Sequence, residues 1–235
     1  MKKVISILLV ITMFFMLACG CNKSDDKPTP DTEGNTKDIN QGRLLKPYID
    51  INKTGKYMIT TEISLPDDVI VPITIIVSGS TKKMMTLNMP WEDGKQLPMT
   101  LMIDGERKVL MFSSFKTYGD IGKDQLTDLT EFLQGAYLQY GALSFVRDGT
   151  EDIEGTKYSY EDYVDPSNQQ VARFLFKDGK LVMKGNVTEE GGANYLKFAI
   201  SGNVSDDMFI IPKEFNNAPT EIRQLASEID AGMKN

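Results

Sequence analysis

Met85-Thr86-Leu87-Asn88-Met89-Pro90-Trp91-Glu92-Asp93-Gly94-Lys95-Gln96-Leu97-Pro98-Met99-Thr100-Leu101-Met102-Ile103-Asp104-Gly105 is the stretch that decides the fold. Its apolar side chains recur at every second position: Met85, Leu87, Met89 and Trp91, then Leu97, Met99, Leu101 and Ile103. A repeat of two places them on one face of a pleated strand, whereas a helix would need spacings of three and four. Asp93-Gly94 and Asp104-Gly105 follow the two runs, and such pairs favour the tight turns that reverse a strand on itself.

Working outward, the same alternation recurs on both sides. Upstream lie Tyr57, Ile59, Ile63 and Leu65, then Val71, Ile73, Ile75 and Val77. Downstream, Lys108–Tyr118 is apolar on both faces for part of its length. Tyr158/Tyr160, Ala172/Phe174/Phe176, Leu181/Met183/Val187 and Leu196/Phe198/Ile200 complete the series. Ser78-Gly79, Asp178-Gly179 and Gly191-Gly192 mark further turns. Short links between successive strands predict an antiparallel meander.

Two segments have helical spacing. Over 124–140, Leu126, Leu129, Leu133, Ala136, Tyr137 and Tyr140 share a face, with Asp124 as the expected N-cap and Gly141 as the stop. Over about 217–233, Ile222, Leu225, Ala226 and Ile229 do the same, with Asn217 as cap and Pro219 in the first turn. The fold class is therefore mainly β, with α+β character: a curved antiparallel sheet or incomplete β-barrel of about ten strands with two helices. A helix about 10–12 Å across covers roughly two strands spaced about 4.8 Å apart. Two helices then leave about half of such a sheet uncovered. The sheet must curl, close, or present an apolar concavity.

The chain ahead of the sheet has a different character. Lys2-Lys3 precede an apolar run from Val4 to Ala18 that is too short to span a bilayer comfortably and fits a signal peptide. The run ends Met16-Leu17-Ala18-Cys19-Gly20-Cys21. A small residue before a cysteine here resembles the lipobox of bacterial lipoproteins. The resemblance implies cleavage after residue 18 and a lipid on Cys19, with Cys21 the alternative attachment site. Both cysteines of the chain lie in this stretch, so no disulfide framework or cysteine metal cluster is expected beyond it. From Asn22 to about Gln41 the sequence is polar, charged and proline-bearing, and predicts a disordered tether. About 20 such residues span roughly 25 Å. The expected domains are 1–18 as signal peptide, 19–41 as lipidated cysteine and acidic tether, and 42–235 as a single β-rich domain.

Charge and composition narrow the function. With 26 basic and 33 acidic residues, the chain lacks the basic excess that phosphate binding requires, so no nucleic acid is expected as a partner. The absence of histidine removes Ser-His and Cys-His catalysis and the commonest zinc ligand. Lys53-Thr54-Gly55 with Ser80-Thr81-Lys82-Lys83 or Ser113-Ser114-Phe115-Lys116 places a penicillin-enzyme motif in reversed order and on strands. The acidic clusters Glu151/Asp152/Glu154 and Glu161/Asp162 could in principle pair for glycoside hydrolysis, but at turns and strand edges solvated charge is the ordinary outcome. The expectation is a non-enzymatic protein with no cofactor and no metal. Thirteen methionines stand out, with Met84, Met85, Met89, Met99, Met102 and Met111 on three successive strands. Methionine fills cores, and it also adapts to varied apolar partners. The candidate ligand-binding patch is Met89, Trp91, Met99, Leu101 and Met111 on one face; a fully packed core for a structural or regulatory partner-binding lipoprotein is the alternative.

One resemblance bears on this choice. Tyr160-Glu161-Asp162-Tyr163, Arg173-Phe174-Leu175-Phe176-Lys177-Asp178-Gly179-Lys180-Leu181, Phe198-Ala199-Ile200-Ser201 and Asp207-Met208-Phe209-Ile210-Ile211-Pro212 follow one another as strand, turn, strand and closing Phe-x-x-Pro edge. That order is similar to lipoproteins of the LolA and LppX type. The resemblance implies an incomplete barrel with helices on its concave side, and binding of an acyl chain or other apolar ligand. The helix expected before the first strand is reduced to Leu44-Leu45-Lys46-Pro47-Tyr48, which Pro47 interrupts. The expected location is the extracytoplasmic face of a membrane, held by the N-terminal lipid.

Overall fold

The computed structural model describes residues 43–64, 70–90, 96–135, 143–164, 170–188 and 192–233. The expected signal peptide, Cys19, Cys21 and the expected tether lie outside the described residues, as does Trp91. Among the described residues, twelve strands form one open sheet. In chain order they are β1 (Lys56–Ser64), β2 (Ile70–Ser78), β3 (Lys82–Pro90), β4 (Gln96–Asp104), β5 (Arg107–Phe112) and β6 (Thr117–Asp120), then β7 (Ser144–Ile153), β8 (Thr156–Val164), β9 (Val171–Lys177), β10 (Lys180–Val187), β11 (Ala193–Ser201) and β12 (Asn216–Asn217). Across the sheet the order is β12-β6-β5-β4-β3-β2-β1-β11-β10-β9-β8-β7. Every pairing is antiparallel except β12 with β6. Two meanders, β1–β6 and β7–β11, thus join at a seam between β1 and β11.

The mainly β architecture and its curved open sheet agree with the alternation in the sequence. The counts differ: among the described residues there are twelve strands where about ten are expected, and three helices where two are. The apolar stretch Lys108–Tyr118 is two strands, β5 and β6, broken by a turn at 113–116 in which Lys116 takes a positive φ of 49°. β7 carries Arg147, Asp148, Glu151 and Asp152 and is half-exposed to exposed along its length, so no apolar period announces it. It is an edge strand, and charge there discourages pairing with other chains.

The additional helix is α1 (Lys46–Lys53). Pro47 does not interrupt it but stands in its first turn, where a missing N–H costs nothing. Helix α2 (Thr127–Gly135) begins later than its spacing suggests. Leu126, at a positive φ of 52°, precedes it, and Asp124 does not cap it: the Leu126 N–H donates to both carboxylate oxygens of Asp230 on α3, at 3.0 and 2.8 Å. Helix α3 (Pro219–Met233) starts after Asn217, which is committed to β12 rather than to a cap. Gly141 lies outside the described residues.

All three helices lie on one face, here called the inner face. Leu45 and Ile49 from the α1 region, Leu126, Leu129 and Leu133 from the α2 region, and Ile222, Ala226 and Ile229 from α3 pack with the inward side chains of β1–β5 and β8–β11 into one cluster. Helix α1 lies against β1 and β11, α2 against β3, and α3 against β5 and β6. On the outer face a smaller cluster forms where residues 204–215, including a 3-10 turn at Asp206–Phe209, cross the β1–β6 meander. Val204, Phe209, Ile211 and Phe215 there cover Met58, Ile76, Met84, Met102, Val109 and Met111.

Candidate binding face

Register decides which predicted residues share a face. Met89 pairs with Leu97 and Leu87 with Met99, so the β3–β4 connection sets odd-numbered residues opposite odd-numbered ones. The β4–β5 hairpin has a two-residue turn and sets odd opposite even: Leu101 faces Leu110, and Thr100 faces Met111. Met89, Met99 and Leu101 therefore stand together on the inner face, at 2%, 0% and 0% exposure. Met111 stands on the outer face beneath the crossing segment. The expected single patch is divided, and Leu110 and Phe112 take the inner positions on β5. The six clustered methionines split evenly, with Met85, Met89 and Met99 inside and Met84, Met102 and Met111 outside. The parity of the two-residue turn at Gly105-Glu106, after Asp104, is the signal that places Met111.

The inner face is not uniformly covered. Helix α1 approaches the sheet from β8. The buried Glu161 carboxylate accepts the N–H groups of Leu44 and Leu45 at 2.8 and 2.9 Å, and the Tyr163 hydroxyl donates to it at 3.0 Å. A carboxylate at these N–H groups satisfies donors the helix itself leaves open and favours its positive end. Burial, and then Glu161, push the Tyr163 phenol well above its ordinary range. The Arg43 guanidinium lies 3.4 Å from the Phe145 ring centroid and pairs with Asp148 on β7. Further along α1, the Tyr48 hydroxyl accepts the Leu181 N–H at 3.0 Å, and its ring meets Phe176.

Beyond α1, on the side of β9–β11 and β1 away from the Asp178-Gly179 turn, inward side chains are only half-buried. Ala172, Lys184, Leu196, Thr61 and Ile63 are all of this kind. Phe174 and Phe198 form the floor, at 0% and 5% exposure, stacked edge-on at 6.3 Å. The Lys184 ammonium stands 5.8 and 5.7 Å from the two ring centroids. Another inward lysine, Lys83, pairs with Val77 and Ile103 near the opposite ends of their strands, and burial lowers its pKa.

The acidic pair Glu161/Asp162 is neither solvated nor a pair. Adjacent residues on a strand point to opposite faces. Asp162 faces outward, is 0% exposed, and accepts Arg147 Nε at 2.7 Å together with Arg173 Nε and Nη2 at 2.7 and 2.9 Å. Arg173 also donates to Glu151 at 2.8 Å, and Glu151 accepts the Tyr195 hydroxyl. Burial raises the Asp162 pKa, but the hydrogen bonds and charges of Arg173 and Arg147 outweigh it and hold the carboxyl below its ordinary range. Burial and the bond to Glu151 push the Tyr195 phenol up to about 12. Gly149 and Gly185 let the Tyr160 and Tyr195 rings lie across them: a Cβ at either would come within 3.0 Å of the ring. Nearby, Thr60, Tyr158, Lys177, Met183, Lys197 and Ala199 line a shallow outer groove. The sequence signal for this network is the single inward-outward step at Glu161-Asp162 opposite Arg173.

No family model matches the sequence. No curated protein matches it either. Among solved structures, the chain is similar to a LolA superfamily protein from Nitrosomonas europaea, at 11% identity and a TM-score of 0.30, covering 73% of this chain and 96% of the other. It is similar to a protein in the MucA/MucB complex of Pseudomonas aeruginosa, at 11% identity and a TM-score of 0.34, covering 74% and 61%. A domain from Vibrio parahaemolyticus described as an outer-membrane lipoprotein-sorting protein is similar at 7% identity and a TM-score of 0.29, covering 70% and 97%.

Proposed function

We propose that this chain is a membrane-anchored extracytoplasmic lipoprotein that acts by binding, without catalysis, an apolar ligand or acyl chain on the inner face of its sheet. The observation that carries the reading is the incomplete cover of an otherwise continuous apolar face. Helices α1, α2 and α3 bury most of it, yet Ile63, Ala172 and Leu196 remain half-buried beside the fully buried Phe174. Exposed apolar surface of this kind gains roughly 25 cal/mol per Å² when a ligand removes it from water. The anchor rests on the sequence: a short apolar run ending at Ala18-Cys19, with Cys21 as the alternative lipid site. Two or more acyl chains on that cysteine would hold the domain at the bilayer, at about 0.8 kcal/mol per buried methylene.

A second reading is a structural or regulatory lipoprotein whose core is fully packed and whose outer face meets a protein partner. Full burial of Met99 and Leu101 favours it. Native mass spectrometry of residues 42–235 after bacterial expression separates the two. A co-purifying lipid supports the binding reading, and a clean apo mass favours the packed one. For the anchor, Cys19→Ala releases the protein from the detergent phase while Cys21→Ala does not; the reverse result moves the lipid to Cys21.

A further inference from the structure

Strand β7 has a neighbour on one side. It pairs with β8, and among the described residues no strand lies against its other edge. The β7–β8 hairpin turns on Glu154-Gly155, at positive φ values of 51° and 77°, between the paired Ile153 and Thr156. The residues that flank such a turn bond to each other, and bonded residues then alternate along the strand. Gly149, Glu151 and Ile153 therefore direct their main-chain groups to β8, and Asp148, Thr150 and Asp152 direct theirs to the free edge. The bulge at Val146 ends the regular ladder beyond Arg147.

The side chains on this edge complement their own reverse. Arg147, Gly149 and Glu151 lie on the outer face, opposite Asp162, Tyr160 and Tyr158 of β8. A second copy related by a two-fold axis normal to the sheet runs antiparallel and keeps outer face beside outer face. Because even-numbered residues carry the free main-chain groups, a bonded register has its axis at a residue rather than between two. With the axis at Gly149, Arg147 stands opposite the partner's Glu151 on both sides, and Asp148 opposite the partner's Thr150. An axis at Asp148 sets that carboxylate against its own copy, one at Thr150 sets Asp148 against the partner's Asp152, and one at Glu151 sets Glu151 against itself. Of these four registers, the Gly149 one joins opposite charges and no like ones. Arg147, 55% exposed, donates to Asp162 through Nε, and Arg173 and Tyr195 both use Oε2 of Glu151. Arg147 Nη and Glu151 Oε1 are the atoms that would bond across the axis. The Tyr160 ring already covers the outer side of Gly149, so the two rings would close over the joint from either side.

We infer that β7 is the interface of a weak two-fold dimer of this chain, in which residues 147–151 of two copies pair edge to edge and the two sheets become one. The occupant is a second copy because the complementarity is isologous: the same five residues supply both sides. The outer rung then reads Arg173, Asp162, Arg147 and the partner's Glu151, alternating in sign across the axis. Charge on β7 rejects other edges and selects this one. The ladder is short, so association is reversible and far weaker than that of an obligate dimer. Ligand binding on the inner face neither requires this pairing nor follows from it.

The test uses the full-length chain in detergent. Copies carrying Asp148→Cys are mixed with copies carrying Thr150→Cys and oxidised, and the disulfide-linked peptides are identified by mass. Both positions are exposed. Residues directly opposite in a bonded pair lie about 5.5 Å apart at Cα, within disulfide reach, whereas 148 to 148 and 150 to 150 lie about 9 Å apart, outside it. The expected product joins position 148 of one copy to position 150 of the other, at least about tenfold over the like-with-like products. Thr150→Asp, which opposes two carboxylates on each side of the axis, should lower co-isolation of two differently tagged copies about fivefold, and Thr150→Lys should raise it about fivefold. Both variants should melt with the parent, since position 150 lies outside the Asp162 network. A like-with-like disulfide as the main product overturns the register. An equal response to Thr150→Asp and Thr150→Lys overturns the opposition to Asp148. Absence of both the disulfide and co-isolation overturns the dimer.

Discussion

Between β1 and β6 the outer face carries Met58, Met84, Met102 and Met111 under the segment 204–215; between β7 and β11 it carries Arg147, Glu151, Asp162, Arg173, Tyr160 and Tyr195 with no segment crossing them among the described residues. The inner faces of both meanders are apolar and join one cluster. One sheet thus closes its outer side in two ways. The first half buries apolar area beneath chain. The second satisfies buried charge with charge, and the aliphatic and aromatic parts of Arg173, Tyr160 and Tyr195 supply the cover. A flexible thioether surface tolerates substitution. A buried ion network does not, because removing one member leaves the others in low dielectric without a partner.

The contrast can be broken from either side. Asp162→Ala leaves Arg173 buried with only Glu151, and should cost about 3–5 kcal/mol in urea unfolding; a loss under 1 kcal/mol would mean the network is solvated. On the other half, Phe209→Ala removes the most buried side chain of the crossing segment and should cost about 3 kcal/mol. If its unfolding midpoint matches the parent's, residues 204–215 lie on the sheet without holding it.

Acid sharpens the comparison further. The Asp162 carboxyl titrates lower in the folded chain than in the unfolded one. Its contribution is therefore complete above the ordinary carboxylate value of about 4 and is lost as pH falls through the depressed folded value. The stability gap between the parent and Asp162→Asn should be flat from pH 7 to about pH 5, then narrow as pH falls further. A gap that widens on acidification would contradict the sign. The smallest effect is expected at Pro47→Ala, within about 0.5 kcal/mol of the parent, since the residue occupies a first-turn site that needs no N–H.

Much of the first meander was legible because its strands hide one face and the period of two shows through. Tyr57/Ile59, Val71/Ile73/Ile75/Val77 and Leu97/Met99/Leu101/Ile103 are all inward and buried. β7 was not legible, because an edge strand with charge on both faces leaves no apolar period. Helix α1 was hidden for a different reason. Its cap is not local but the Glu161 carboxylate, contributed by β8. Of the candidate site, Met89, Met99 and Leu101 stand together on the inner face, as their period of two indicates, whereas turn parity puts Met111 on the outer one.

The seam between β1 and β11 has a consequence for the order of assembly. Thr60 finds Ala199 on one side although Thr74 lies on the other. During synthesis β1 can pair with β2 at once, but its second edge waits for a strand roughly 140 residues further on, on the order of ten seconds at about 5–20 residues per second. Helix α1 waits nearly as long for Glu161. The first meander must therefore persist as a half-sheet with a bare, apolar-flanked edge, the kind of species that aggregates or recruits holdases. Closure at β1–β11 is then the long-range step that sets the folding rate. Circular permutation of residues 42–235 that joins the termini and reopens the chain between β6 and β7 would cut the separation of β11 and β1 from roughly 140 residues to roughly 50, and folding should accelerate while the finished sheet stays the same.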